Sequence, residues 1–220
     1  MSTVWSFGDS MTAPINGDLN NPSPYRQWLG RDANDTATCV AEHYGFESKN
    51  MGHGGSSNSG LFHKFISELK NIQSGDILIF GWTVVARYRI ASKVGWKTIW
   101  SVGLSNVPEK GCIDGTYITK EVAEHLIYNR CDLQHFYEEE VNDWINFIND
   151  WAELKGVKVV HWSWCNEVIG GKQNLNLSFP VINYTNMSQE SDNIVKDGHY
   201  GEVGYRELAD DILKYLNTQL

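Results

Sequence analysis

Short strand-like segments alternate along the chain with longer segments of helical spacing. Segments rich in β-branched, aromatic or other apolar residues and bounded by turn residues predict strands. They lie at 3–7, 48–51, 76–81, 157–164 and 181–184. Segments in which apolar residues recur every three or four positions predict helices at 25–44, 61–73, 133–154 and 205–216. This alternation predicts a three-layer α/β/α sandwich with a mainly parallel central sheet.

The alternation is interrupted once, at about 84–131, where no clear period can be read. Neither an internal repeat nor a linker rich in Pro or Ser divides the chain. We therefore predict a single domain over residues 1–220 with an insertion at about 84–131. Loops at the carboxyl edge of a parallel sheet surround its ligand site, so we expect the insertion to overhang that site.

Composition excludes several classes of protein. The chain has 220 residues, of which 41% are hydrophobic and 20% charged, and this excludes an intrinsically disordered chain. No apolar stretch reaches the roughly 18 residues of a membrane span. The formal net charge is -9, which makes nucleic acid and anionic membranes poor partners.

The cysteines and the N-terminus bear on the cellular compartment of the protein, and the histidines bear on whether it binds a metal ion. Four cysteines form no CxxC pair, which suits free thiols in a reducing compartment. His53 and His63 have no carboxylate at ligand spacing, so we predict no metal site, and nothing in the sequence implies a cofactor. The N-terminus lacks the pattern of a signal peptide, which predicts a cytoplasmic location.

Candidate catalytic residues follow the predicted strands. Gly8-Asp9-Ser10 follows the first strand, a glycine-rich loop around Gly55 follows the second, and Thr83 follows the third. Asp197-Gly198-His199 precedes the last helix. A serine, a histidine and a carboxylate brought to one sheet edge form a nucleophilic set, because a serine hydroxyl needs a base to take its proton.

These motifs resemble those of the SGNH/GDSL hydrolases. The first block of that family is matched by Gly8-Asp9-Ser10, and the second by Asn50 and Gly55. The third block, Gly-x-Asn-Asp in the family, reads Gly81-Trp82-Thr83-Val84 here, so its Asn is replaced. The last block has its Asp two residues before His199, where the family has it three residues before.

The resemblance implies a role for each residue. Ser10 is the expected nucleophile, His199 the general base, and Asp197 the carboxylate that orients the histidine, with Asp192 as the alternative. The expected oxyanion donors are the backbone N–H groups of Ser10 and Gly55. Thr83 occupies the place of the missing Asn. Its hydroxyl is the predicted third donor; the alternatives are a hole of two donors or a donor from elsewhere.

We predict that Trp82 and Arg87 bind substrate, with Trp96 and Trp100 of the insertion as further wall residues. For Arg87, pairing with an acid is the alternative. The mix of indole, guanidinium and polar residues favours a short acyl group on a sugar-like alcohol over a long lipid chain.

The predicted function is hydrolysis of short acyl esters, foremost acetyl, on a carbohydrate through an acyl-enzyme. The alternatives are a short-chain lipase or thioesterase and a non-catalytic carbohydrate-binding domain. The expected partner is a small-molecule or glycan ester. Enzymes that resemble this chain occur in bacteria and in their phages. A virion-associated location is therefore the alternative to the cytoplasm. The sequence leaves the oligomeric state open.

Overall fold

We describe the protein from a computed structural model, which covers residues 1–13, 23–84, 87–93, 95–99, 112–113, 116–164, 182–183 and 201–218. The strands are β1 Thr3–Phe7, β2 Glu47–Asn50, β3 Ile77–Trp82, β4 Tyr88–Ser92, β5 Gly95–Ile99, β6 Lys158–Ser163 and β7 Ile182–Asn183. The helices are α1 Pro24–Leu29, α2 Thr36–Tyr44, α3 Asn58–Glu68, α4 Lys120–Asp132, α5 Gln134–Lys155 and α6 Glu202–Thr218.

Five strands form one parallel sheet in the order β2-β1-β3-β6-β7. From β1 the chain passes first to β2 on one side and then to β3 on the other, so the direction of winding reverses between β1 and β3. In open α/β sheets, ligands bind in the crevice outside the carboxyl ends of the strands at this reversal point. The fold therefore directs attention to the segments that follow β1 and β3.

Two apolar layers cover the sheet and confirm the predicted three-layer sandwich. Side chains of α2 and α6, among them Val40 and Leu208, pack on one face against Ile79 of β3. Side chains of α3 and α5, among them Phe65 and Ile148, pack on the opposite face. Because successive residues of a strand point to opposite faces, β3 contributes to both layers, and all six of its residues are buried.

Two predicted segments differ from the structure. The helix predicted over 25–44 is two helices, because Gly30 ends α1 in a left-handed conformation and Asp35 caps α2 through the N–H of Thr38. The predicted insertion contains the antiparallel hairpin β4–β5 and helix α4. Within the described ranges, no helix is long and apolar enough to cross a membrane.

A buried histidine links β6 to its neighbours. The indole N–H of Trp82 donates to His161 Nδ1 at 3.1 Å, so Nδ1 is unprotonated and Nε2 carries the proton. Nε2 then donates to Asn149 Oδ1 of α5 at 3.0 Å. Burial lowers the pKa of His161 from 6.5 to about 3, so the ring is neutral in the folded protein.

This histidine predicts a loss of stability at mildly acidic pH. The unfolded chain takes up a proton near pH 6.5 and the folded chain only near pH 3, so stability falls as the pH drops through this window. The contribution is about 1.4 kcal/mol per pH unit, or about 2 kcal/mol between pH 7 and pH 5. Urea unfolding at the two pH values measures it. His161→Gln should lack this part of the pH dependence, whereas replacement of the exposed His43 by Gln should keep it; equal pH dependence of all three proteins would contradict this account.

Candidate functional site

Ser10 lies in a tight turn at the carboxyl end of β1, next to the point where the winding reverses. The turn is closed by hydrogen bonds from the N–H groups of Thr12 and Ala13 to the carbonyl oxygen of Asp9, at 3.1 and 2.9 Å. The N–H of Met11 donates to Asp9 Oδ1 at 2.9 Å. Asp9 is fully buried, whereas Ser10 is partly exposed. The turn thus fixes its backbone through the aspartate and leaves the serine accessible.

A buried ion pair anchors this turn to the rest of the site. Arg87 Nη1 lies 2.7 Å from Asp9 Oδ2, and the side chains are 3% and 0% exposed. The same Nη1 donates to the carbonyl oxygen of Ser56 at 2.9 Å. The indole N–H of Trp164, just after β6, donates to Asp9 Oδ2 at 3.0 Å. The Asp9–Arg87 pair therefore connects the segments that follow β1, β2, β3 and β6.

The glycine-rich loop after β2 packs against the serine turn. Asn50 Oδ1 accepts from the N–H of Gly52 at 2.8 Å, and its Nδ2 donates to the carbonyl oxygen of Thr12 at 2.7 Å. A Cβ built on Gly54 would lie 4.0 Å from the Cβ of Ser10, so the loop backbone passes directly beside the serine. Gly55 has φ +74°, a conformation that favours glycine. Asn50 and Gly55, matched to the second motif block, thus lie in the segment that borders Ser10.

Asn58 is a site residue that the sequence analysis missed. Its Nδ2 donates to the carbonyl oxygen of Thr83 at 2.8 Å, and its Oδ1 accepts from the N–H of Thr83 at 2.8 Å. This paired contact joins the start of α3 to the segment after β3. The only sequence signal was an amide residue in the glycine-rich loop, and nothing local indicated a partner 25 positions away.

Thr83 is 1% exposed. Its Oγ1 is buried and has no hydrogen-bond partner among the residues that the structure describes. A buried hydroxyl without a partner costs stability, so its retention needs a physical reason. An oxyanion that forms only during reaction is one such reason, and the donor role of Thr83 stays a prediction.

The structure places the two predicted substrate-binding residues inside the molecule. Trp82 is 0% exposed and belongs to β3, where its ring packs on His161 and Phe80. Arg87 pairs with Asp9, which is the alternative stated for it from the sequence. Trp82 is thus part of a strand that is buried on both faces, and Arg87 is paired with a buried carboxylate. The contact of either side chain with substrate stays a prediction.

Several predicted residues lie outside the described residues. They include the predicted base His199, the carboxylate candidates Asp197 and Asp192, and Trp100 of the insertion. Their roles stay predictions from the sequence. In the described part of the chain, no group of three or more His, Cys, Asp or Glu side chains could hold a metal ion.

An open cleft of about 720 Å³ lies beside the serine turn. One wall is the glycine-rich loop with Gly54, together with Gly60 and Lys64 of α3. The opposite wall is the β4–β5 hairpin, which contributes Arg89 and Trp96. The hairpin belongs to the predicted insertion, and it borders the cleft next to Ser10.

Comparison with known proteins gives similarity in structure but none in sequence profile. No family profile and no curated protein matches the chain. The structure is similar to that of the YxiM protein of Bacillus subtilis, with TM-score 0.48 and 13% identity, over 99% of this chain and 56% of that one. It is also similar to a Desulfitobacterium hafniense structure described as a candidate lipolytic protein of the G-D-S-L family. That match has TM-score 0.35 and 13% identity and covers 96% and 97% of the two chains.

The chain thus spans little more than half the length of the Bacillus subtilis protein. With identities of 13% and TM-scores below 0.5, we take the fold from the strand order and the site from its own residues.

The buried hydroxyl of Thr83 predicts opposite effects on stability and on rate. Thr83→Val keeps the shape and removes a hydroxyl that has no hydrogen-bond partner in the described part of the chain, so the free energy of unfolding should stay equal or rise by up to about 1 kcal/mol. If the hydroxyl donates to the oxyanion, kcat for an aryl acetate should fall about a hundredfold with little change in KM. Ser6→Ala, which deletes another buried unpartnered hydroxyl on β1, is the control and should keep kcat. An unchanged kcat in Thr83→Val would show that the hole forms without it.

Proposed function

We propose that the protein is a serine hydrolase of carboxylic esters, with Ser10 as the nucleophile. The observation that carries this proposal is the position of Ser10: partly exposed, in a tight turn after β1, beside the point where the winding reverses. The glycine-rich loop runs beside it, and an open cleft begins at Gly54. The family resemblance of the surrounding motifs supports the same chemistry.

The proposed reaction follows from what each group can donate or accept. Ser10 Oγ attacks the ester carbonyl carbon while His199 takes the hydroxyl proton, and His199 then gives that proton to the leaving alcohol. Water, activated by the same histidine, hydrolyses the acyl-enzyme and restores the serine. Asp197, or Asp192 in its place, orients the histidine and stabilises its cationic form.

The oxyanion of each tetrahedral intermediate needs donors that are already in place. The N–H groups of Ser10 and Gly55 are the proposed backbone donors. The Asp9–Arg87 pair and the amide contacts of Asn50 and Asn58 fix the two segments that carry them. Donors held in advance cost no reorganisation during the reaction, which is the main advantage of such a hole.

We further propose a short acyl group, foremost acetyl, on a polar alcohol. The lining of the cleft supports this part of the proposal. Its apolar side chains, Phe7, Met51 and Leu61, are interspersed with glycine backbone and with polar and charged side chains, whereas a long acyl chain needs a continuous apolar trough. The exposed indole of Trp96 on the opposite wall gives a flat surface of the kind on which sugar rings pack.

Labelling with a fluorophosphonate, followed by peptide mapping, tests the nucleophile without knowledge of the substrate. We expect the label on Ser10 and none on Ser10→Ala, with kcat for an aryl acetate at least about a thousandfold lower in the variant. Ser67→Ala, which removes a hydroxyl from the exposed face of α3, should label as the parent does. Absence of labelling in the parent protein would favour a non-catalytic binding domain, and labelling at another residue would refute the role of Ser10.

The acyl part of the proposal predicts a dependence on chain length. Activity on aryl esters should fall steeply from acetyl to butyryl to octanoyl, because polar and charged groups interrupt the apolar lining and the added methylenes would lie against them. Steady-state kcat/KM on the three esters measures this, with spontaneous hydrolysis subtracted for each. Activity that rises with chain length would contradict the short-acyl proposal and favour a lipase or thioesterase.

A further inference from the structure

The cleft beside Ser10 differs in charge from the rest of the protein. The chain as a whole carries a formal net charge of -9. Of the described residues that line the cleft, none is Asp or Glu, whereas Lys64, Arg89 and Lys97 all contribute to the walls. A basic cavity in an acidic chain is a local feature that the overall composition does not explain.

Arg89 is one of the cations that line this cleft. It extends from β4, and its guanidinium carbon lies 4.5 Å from the ring centroid of Trp96 on the paired strand β5. This cation–π contact holds the guanidinium against one wall. Among the described residues it has no acidic partner, and partial burial lowers the pKa of Arg89. Partial desolvation of a cation carries a cost in free energy, and a bound anion offsets this cost.

The other two cations extend the positive potential along the cleft. Lys97 lies on β5 one residue beyond Trp96, and Lys64 lies on α3; both line the cleft. The Nζ of Lys64 lies 3.8 Å from Glu68 Oε1, which is a weak ion pair. Cations contributed by α3 and by the β4–β5 hairpin favour a ligand whose negative charge lies inside the cleft.

From this geometry we infer that the substrate is anionic: a carboxylate or phosphate on the alcohol side of the ester binds in this cleft, with Arg89 as its principal partner. The planar guanidinium can bind either anion with two parallel hydrogen bonds. Because the cleft begins at Gly54 beside Ser10, an anion bound there places the neighbouring ester at the serine. This inference rests on the proposed function for the position of the ester, but the anion site itself does not depend on hydrolysis.

The test compares three aryl acetates that share one leaving-group skeleton: 3-acetoxybenzoate, 3-acetoxyphenyl phosphate and the neutral 3-acetoxybenzamide. We expect kcat/KM to be about tenfold or more higher for at least one anionic ester than for the amide. The carboxylate and phosphate arms decide which anion the cleft prefers. Arg89→Gln should remove most of this preference and Arg89→Lys should restore part of it. Lys93→Gln, which removes an exposed cation on the same hairpin outside the cleft, should keep it.

A binding measurement separates failure of this inference from failure of the proposed function. The acetamido analogues of the three esters resist hydrolysis, and their affinities for the parent protein can be measured by calorimetry. One outcome supports the anion site and contradicts the esterase function. In it, no ester is hydrolysed, but an anionic analogue binds the parent protein better than the neutral one, and Arg89→Gln removes this difference in affinity. Equal kcat/KM for charged and neutral esters, together with equal affinity for their analogues, would contradict the anion site. A preference for the anion that persists in Arg89→Gln would also contradict it, provided that the circular dichroism of the variant matches that of the parent.

Discussion

The arrangement of the site depends on the buried contact between Asp9 and Arg87. A carboxylate and a guanidinium removed from water each lose hydration, and only their mutual contact and further hydrogen bonds offset that loss. Asp9 accepts from Met11, Arg87 and Trp164, and Arg87 also donates to Ser56. Loss of the Arg87 charge would leave the Asp9 carboxylate buried without its cation, at a cost of about 3–5 kcal/mol. Four loops that are far apart in sequence are thereby held together at one edge of the sheet.

Two asparagine side chains hold the backbone of these loops through further hydrogen bonds. Asn50 binds backbone atoms of Gly52 and Thr12, and so joins the glycine-rich loop to the serine turn. Asn58 binds both backbone polar groups of Thr83 and joins the start of α3 to the segment after β3. Each amide satisfies both a donor and an acceptor with backbone partners, which holds a loop in one conformation without a regular ladder. A site that must present N–H groups to a transient charge gains from such rigidity.

The hydrophobic pattern predicted the fold well, because a strand that is buried on both faces of the sheet has a continuous apolar run in its sequence. The continuous apolar run at 76–81 became β3, and the stripe that includes Val141 and Ile148 became the buried face of α5. The break between α1 and α2 was missed because it depends on capping by Asp35 and on the left-handed Gly30, which interrupt a helical pattern without erasing it. The hairpin β4–β5 was missed because its strands are short and, among their described side chains, only Ile90 is buried.

The sequence predicted those parts of the site in which a motif directly follows a strand. It did not predict contacts between side chains that are far apart in the sequence. Ser10 and the glycine-rich loop could be placed from local sequence alone. The pairing of Arg87 with Asp9 could be named only as an alternative, since a buried partner 78 positions away has no local signature. The burial of Trp82 could not be predicted for a related reason: an aromatic residue at the end of a buried strand has the same sequence appearance whether it faces the core or a ligand.

The crystal structure of the protein after reaction with a fluorophosphonate tests the central claim most directly. The account predicts phosphorus bonded to Ser10 Oγ, a phosphonyl oxygen within hydrogen-bond distance of backbone N–H groups of the serine turn and the glycine-rich loop, and His199 next to the adduct. It also predicts that the contact between Asp9 and Arg87 is unchanged. An adduct on another side chain, or one on Ser10 whose phosphonyl oxygen points away from both loops, would contradict it.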